Sequence, residues 1–262
     1  MLADYHNHTS FSNDSTYPME ESIKQAIKLK IDEICYTEHV DYLTNDVSHH
    51  TDFDAYLQEY HRLKAKYEGQ IEIKFGIEFG IQQHMIPKFE QDFARYDFDF
   101  VILSNHQMDD QEFWNQEFQS GKTQLEYNQA YYQAIYDIIS QYKNYSVLGH
   151  LDMIKRYDQA GILADEVNEE LIKKILRLVI QDGKGIEVNT SNFRYGLPDL
   201  TPSRTILKWY YELGGKVLTI GSDSHKESHL GFKIEEIKEE LKKIGFEQFC
   251  TFEQMQPTFH QL

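Results

Sequence analysis

Residues 166–191 read EVNEELIKKILRLVIQDGKGIEVNTS, and two different periods meet inside this stretch. Val167, Leu171, Ile175, Leu178 and Val179 recur at the 3.6-residue spacing of one helical face. Gly183 and Gly185 then stop the helix, and GIEVNTS follows as a strand-like, β-branched run. The same helix–strand unit recurs along the whole chain. Strands are expected at 2–6, 33–39, 71–79, 98–106, 145–152, 185–191 and 216–225. Helices are expected at 19–30, 53–67, 84–96, 123–142, 166–182, 202–213 and 233–243. Such alternation predicts an α/β fold with a parallel sheet and crossover helices. Seven units exceed what a doubly wound sheet usually needs, and no dinucleotide-binding glycine pattern is present. The expected architecture is therefore a closed or partly closed barrel.

At 262 residues the chain is long enough for a sizeable core and is expected to be a single domain over 1–262. The 40% hydrophobic content is ordinary for a globular protein, and no apolar run approaches the roughly 20 residues that span a bilayer. The opening MLADYHNHTS lacks a basic region followed by an apolar one, so no signal peptide is expected. Cys35 and Cys250 read as isolated, reduced thiols of a cytoplasmic protein. With 43 acidic against 26 basic residues the formal charge is −17, which argues against nucleic-acid or membrane partners. An anionic substrate would need local positive charge, from a few arginines or from bound metal.

The strand ends carry the chemistry. His6 and His8 lie two apart at the end of the first strand, so an extended backbone aims both imidazoles to one side. His39 ends the second strand in TEHVD, Glu78 the third in GIEFG, His106 the fourth in SNHQ and His150 the fifth in GHLD. Asp223 and His225 end the seventh in GSDSH, another pair two apart. In a parallel barrel all of these open onto one rim, where such folds keep their active sites. Buried ionisable groups are costly unless paired or metal-bound, so their convergence points to a metal centre.

Asp14 in FSNDS is a further candidate ligand. Eight or nine ligands exceed what one ion takes and imply two or three divalent transition-metal ions. The imidazole and carboxylate mixture suits zinc, manganese or iron better than calcium. His49, His50, His61, His84, His229 and His260 fall outside the motifs and are expected to be solvated, with His49 and His50 in a loop able to cover the rim. Segments 40–52 and 107–122 read as active-site loops.

Taken in order and spacing, YHNH, TEH, GIEFG, SNHQ, GHLD and GSDSH resemble the polymerase and histidinol phosphatase (PHP) superfamily, over residues 3 to 232. Within it, FSNDS, GHLDMIKRY and NTSNFRYG resemble the histidinol-phosphate phosphatases of amino-acid biosynthesis. The resemblance implies a distorted (βα)7 barrel with a trinuclear metal site at the C-terminal rim of the strands. It further implies that His6, His8, Glu78 and Asp223 hold one ion, and that Glu78 bridges to a second ion held with His106 and His150. Asp14, His39 and His225 would hold the third.

A polynuclear site suits hydrolysis of a phosphate monoester, because metals polarise the phosphoryl oxygens and lower the pKa of water. Arg156 in IKRYD and Arg194 in NTSNFRYG follow strand ends directly, and a guanidinium fork suits phosphate. His39 and Asp223 are candidates to protonate the leaving alkoxide. The implied reaction converts L-histidinol phosphate to L-histidinol and phosphate in histidine biosynthesis, in a monomer or small homo-oligomer. Glu38, Asp41, Asp109 and Asp152 are acids near the motif histidines that could meet a cationic product, and Phe113, Trp114 and Phe118 could close over its ring. A second reading keeps the fold and takes phosphotyrosine protein or nucleotides as substrate. A third is a metal-binding module without catalysis, which loss of ligands would signal.

Overall fold

The computed structural model describes residues 1–44 and 50–262. Its centre is a parallel sheet of seven strands in sequential order. They are β1 (Ala3–Asp4), β2 (Glu33–Asp41), β3 (Glu72–Gly80), β4 (Phe100–Ser104), β5 (Val147–Leu148), β6 (Gly185–Asn189) and β7 (Leu218–Gly221). The sheet curls until its two edges meet. Tyr5 N–H donates to Ile220 O at 3.0 Å and His8 N–H to Ser224 O at 2.7 Å, joining the first strand to the last. Helices α1 (Met19–Lys28), α2 (Phe53–Lys66), α3 (Ile86–Arg95), α4 (Gln124–Gln141), α5 (Glu169–Gln181) and α6 (Arg204–Glu212) connect the strands, and α7 (Ile234–Ile244) follows the last. This is the expected (βα)7 barrel, element by element.

Side-chain alternation along the strands explains the layering. On β3, Phe75 and Phe79 face the helices, where Phe75 lies 4.8 Å from Tyr56 and Phe79 lies 5.1 Å from Phe89, ring centre to ring centre. The intervening Lys74, Gly76, Glu78 and Gly80 face the barrel interior, in register with Cys35, Thr37, His39 and Asp41 of β2. Strands buried on both faces need apolar residues outside and specific ones inside. The interior is thus where polar residues require a reason. Cys35 and Cys250 are both buried free thiols.

Helix boundaries follow local capping. Asp52 accepts from Ala55 N–H at 3.1 Å to start α2, and Ser203 accepts from Ile206 N–H at 3.2 Å to start α6. Thr123 and Glu126 form a reciprocal capping box at α4. Thr123→Ala should therefore cost about 1 kcal/mol of stability, read as a lower denaturant midpoint with an unchanged slope. One periodic residue departs from expectation. Residues Asp165–Asn168 form a tighter 3-10 turn before α5, and its different period leaves Val167 exposed. The buried face of α5 is instead Ile172, Ile175, Leu176 and Val179.

No element is expected from sequence beyond residue 243, yet the chain ends in a hairpin of β8 (Gln248–Glu253) and β9 (Gln256–Gln261). The hairpin packs at the end of the barrel away from the histidine rim. Phe252 sits 5.0 Å from Phe100, its N–H donates to Tyr5 Oη at 2.6 Å, and Gln254 N–H donates to Asp99 Oδ1 at 3.1 Å. Tyr5 in turn bonds Glu33, so the lower barrel is filled by an aromatic and polar plug. Among the described residues, no helix is long and apolar enough to cross a membrane.

Candidate functional site

Eight of the nine expected ligands close in on one point at the strand ends, and Asp14 reaches them from the loop after β1. His6 and His8 follow β1, and both are buried. The parallel register places His39 of β2 directly beside Glu78 of β3. His106 and His150 follow β4 and β5, and Asp223 and His225 follow β7. Asp223 adopts a left-handed backbone, φ +55°, a conformation that costs a non-glycine residue energy and persists only where surroundings enforce it. Ser191 Oγ at 3.0 Å and Asn189 Nδ2 at 3.3 Å hold its carboxylate.

Glu78 is the common partner. Its Oε2 lies 3.1 Å from His6 Nε2, 3.5 Å from His8 Nε2 and 3.0 Å from His39 Nδ1. Its Oε1 lies 2.9 Å from His150 Nε2 and 3.3 Å from His106 Nε2. Burial alone would raise the pKa of this fully enclosed carboxyl, but His6, His106 and His39 outweigh burial and hold it well below the usual range. Asp223 Oδ1 stands 3.8 Å from His6 Nε2 and 3.6 Å from His8 Nε2. On the outer side Asp14 Oδ2 is 3.0 Å from His225 Nε2 and 3.5 Å from His39 Nε2.

Only some of these contacts are hydrogen bonds, among them those of His6 Nε2 and His150 Nε2 to Glu78. His8 Nε2 and His39 Nδ1 are buried and lack a bond of proper direction, although each has carboxylate oxygen nearby. His8 is also stacked between His39 and His225, with ring centres 4.0 and 4.3 Å away. Burial and those two neighbours push the His8 pKa well down, leaving a neutral ring with a free nitrogen lone pair. Among the described residues, ligand atoms converge within 4.8 Å in four groups: His6–His8–Asp223, His6–Glu78–His150, His8–His39–His225 and His39–Asp41–His106. Nitrogen and oxygen donors converging on shared points fit divalent transition-metal ions.

The surrounding residues aim these ligands. Asp41 Oδ1 takes the Nδ1 proton of His106 at 2.8 Å, which turns His106 Nε2 towards Glu78. A Cβ at position 80 would fall 2.7 Å from His106 Nδ1 and closer still to Asp41, so Gly80 leaves room for that pair. Burial lowers the His106 pKa, but Asp41 and Glu78 reverse this and raise it to about 10. Glu187 Oε1 sits 2.5 Å from His6 Nδ1. Sequence reasoning missed Glu187. Its only signal was a carboxylate on the inward period of an apolar strand.

Above the ligands lies a cleft of about 220 Å³, lined among others by His39, His225, Glu112, Trp114, Arg156 and Tyr195. Arg156 lines it from a fixed pose. Its Nε donates to Asn192 Oδ1 at 2.7 Å and its Nη2 to Ser191 Oγ at 2.6 Å, with the guanidinium 4.6 Å over Tyr195. Nη1 is left facing Asp223 Oδ2 at 3.6 Å. Arg194 is not among the lining residues. It donates from Nη2 to the Asp223 carbonyl at 2.8 Å and stacks on Phe232, with Nη1 buried and unpaired.

Several expectations about the rim need correction. Phe113 and Phe118 are buried in the fold, and of the three loop aromatics only Trp114, 65% exposed, faces the cleft. Glu38 is occupied by Thr9 and Ser12, and Asp152 by Lys155, Thr201 and Ser203, so neither reaches the cleft. Asp109 lines a separate groove, leaving Asp41 as the rim acid of that set, and Glu112, an acid outside it, also faces the cleft. His229 is half-buried beside Arg194 with Nδ1 enclosed, so it is less solvated than its loop position suggests. His50 pairs its backbone with Val40, whereas His49 falls outside the described residues.

Comparison with known proteins agrees with this architecture. The chain is 33% identical over 257 residues to a histidinol-phosphatase of Lactococcus lactis, covering 96% of this chain and 94% of that one. It is 32% identical to a probable histidinol-phosphatase of Thermotoga maritima, covering 94% of both. The fold superposes with a TM-score of 0.89 on the crystal structure of the Lactococcus lactis histidinol phosphate phosphatase complexed with zinc, L-histidinol and phosphate, 31% identical over 98% of each chain. The profile of the PHP domain matches residues 4–191, a span that takes in the rim histidines from His6 to His150 together with Glu78, and on that match the chain belongs to the PHP domain family.

Proposed function

We propose that the chain is a metal-dependent phosphomonoesterase that hydrolyses L-histidinol phosphate to L-histidinol and phosphate, a step of histidine biosynthesis. The observation that carries this reading is Glu78, one buried carboxylate within 3.5 Å of five imidazoles from four strand ends. His6, His8, Asp223 and Glu78 Oε2 would hold one ion, and Glu78 Oε1, His106 and His150 a second. Asp14, His39 and His225 would hold a third. Zinc is the first candidate, since the Lactococcus lactis relative was solved with it. When bound, such ions polarise the phosphoryl group and make water acidic enough to attack at neutral pH.

The chain's own residues supply the rest. Arg156 has spent Nε and Nη2 on Asn192 and Ser191, so Nη1 is the edge presented to a phosphoryl oxygen. This fixed guanidinium solves the charge problem of binding a dianion to a chain of net charge −17. Arg194 works from behind, holding the carbonyl of Asp223 and with it the left-handed backbone that aims its carboxylate. His39 and Asp223, which both line the cleft, are the candidates to return a proton to the leaving alkoxide, His39 only while it does not hold the third ion. Trp114 and Glu112 give the cleft an aromatic face and a carboxylate, which suit an imidazole ring and an ammonium group.

The test is phosphate release by metal-analysed protein from L-histidinol phosphate, a phosphotyrosine peptide, a nucleoside monophosphate and a single-stranded oligonucleotide. L-histidinol phosphate should give the highest kcat/KM by at least tenfold. Comparable turnover of all four would remove the substrate assignment.

A further inference from the structure

Glu187 is buried at 1% exposure in β6, deep beneath the rim, and has no route to the cleft. A carboxylate there is costly unless every lone pair is used. Its Oε1 accepts the Nδ1 proton of His6 at 2.5 Å, and its Oε2 accepts the backbone N–H of His150 at 2.9 Å. Asn189 Nδ2 adds a third donor at 3.3 Å. The pocket is shaped around this side chain. A Cβ at position 221 would fall 2.5 Å from Glu187 Oε1 and closer still to His6 Cβ, and one at position 149 would fall 3.6 Å from Oε2. Glycine at 221 is what lets Glu187 stand so close to the first strand, whereas a Cβ at 149 would be in ordinary contact with Glu187 and would clash instead with Ser104 Oγ and Ile102.

We propose that Glu187 is a positioning residue that couples two of the metal subsites, a role resting on the metal reading above. Because a carboxylate can only accept, Glu187 keeps a proton on His6 Nδ1, so that Nε2, which faces Glu78 and Asp223, is the nitrogen that would give up its proton to a metal ion. The second oxygen fixes the backbone at His150, whose Nε2 lies on the opposite side of Glu78. One side chain thus sets the aim of a ligand from each of two ions, the general task of the residues behind metal-bound histidines. It touches no residue of the third set, Asp14, His39 and His225.

Glu187→Gln tests this selectively. An amide keeps the volume but offers one acceptor, so it can satisfy His6 or His150 N–H but sets a donor against the other. Zinc affinity is measured by competition with a chromophoric chelator on metal-stripped protein, and anomalous scattering at sub-saturating zinc assigns occupancy to each subsite. The variant should bind zinc roughly 10- to 100-fold more weakly at the His6–His8 and His106–His150 subsites. Affinity at Asp14–His39–His225 should be unchanged. Wild-type affinity at all subsites, or equal weakening at all three, would overturn the proposal. If the glutamine variant does not fold, Glu187→Asp carries the test, since it keeps the charge but cannot reach both partners. Wild-type protein that binds no zinc would remove the metal reading itself, whatever the variant does.

Discussion

Glu78→Ala should lose activity and metal together, with kcat falling at least about a thousandfold. The magnitude follows from what the carboxylate touches. Its two oxygens lie between His6, His8 and His39 on one side and His106 and His150 on the other. On the proposed metal arrangement, removing it would deprive two ions of a shared anionic ligand and leave the imidazoles to repel one another as they protonate. Metal assistance supplies several kcal/mol of transition-state stabilisation, and about 1.4 kcal/mol corresponds to each tenfold in rate. Metal analysis after dialysis should show loss of at least one ion per chain. A variant that keeps both its metal and its turnover would refute the bridge.

The metal-free protein makes the same point through protons. His106 rises to about 10 and His6 and His39 also rise, because carboxylates outweigh burial. A raised pKa stabilises the metal-free fold below the ordinary histidine value, and that stabilisation is lost as pH climbs through the raised one. Metal must displace these protons, so loading should weaken as pH falls.

Arg156→Ala is the second large effect. The side chain is 3% exposed and makes two charge-assisted bonds, so its removal deletes a fixed cation from the cleft wall. A hydrogen bond to a charged group contributes about 1.5–3 kcal/mol. The expected loss is roughly 10- to 100-fold in kcat/KM, with weaker competitive inhibition by inorganic phosphate and full metal content. Arg156→Lys should not rescue it, because the donors of an ammonium radiate from one nitrogen and cannot span the three positions from which Nε, Nη2 and Nη1 reach Asn192, Ser191 and the cleft. Unchanged kcat/KM would remove Arg156 from substrate binding, and loss of metal would make its role structural.

Much of this was legible in the sequence, for definite physical reasons. Strand–helix alternation is set by local periodicity, so all seven strands and seven helices fall where the pattern places them. The ligands were legible because strand ends are fixed by the same pattern and histidines are rare there by chance. The C-terminal hairpin was not. Its turn places Gln254 and Met255 in the left-handed region, at φ +47° and +63°, without the glycine or asparagine that usually announces such a turn. Glu187 was hidden for another reason. It is one of 43 acidic residues, and its partner His6 lies 181 residues away, so only the closed barrel brings them together. Arg156 and Arg194 look equivalent in sequence, since each follows a strand end. Tertiary packing separates them, turning one to the cleft and the other behind Asp223.

The most direct measurement is a zinc titration of metal-stripped protein, following phosphate release from L-histidinol phosphate at each equivalent added. Activity should be absent at the start, rise with zinc and saturate at two or three ions per chain. Full activity without metal, or no activity at any loading, would contradict the account.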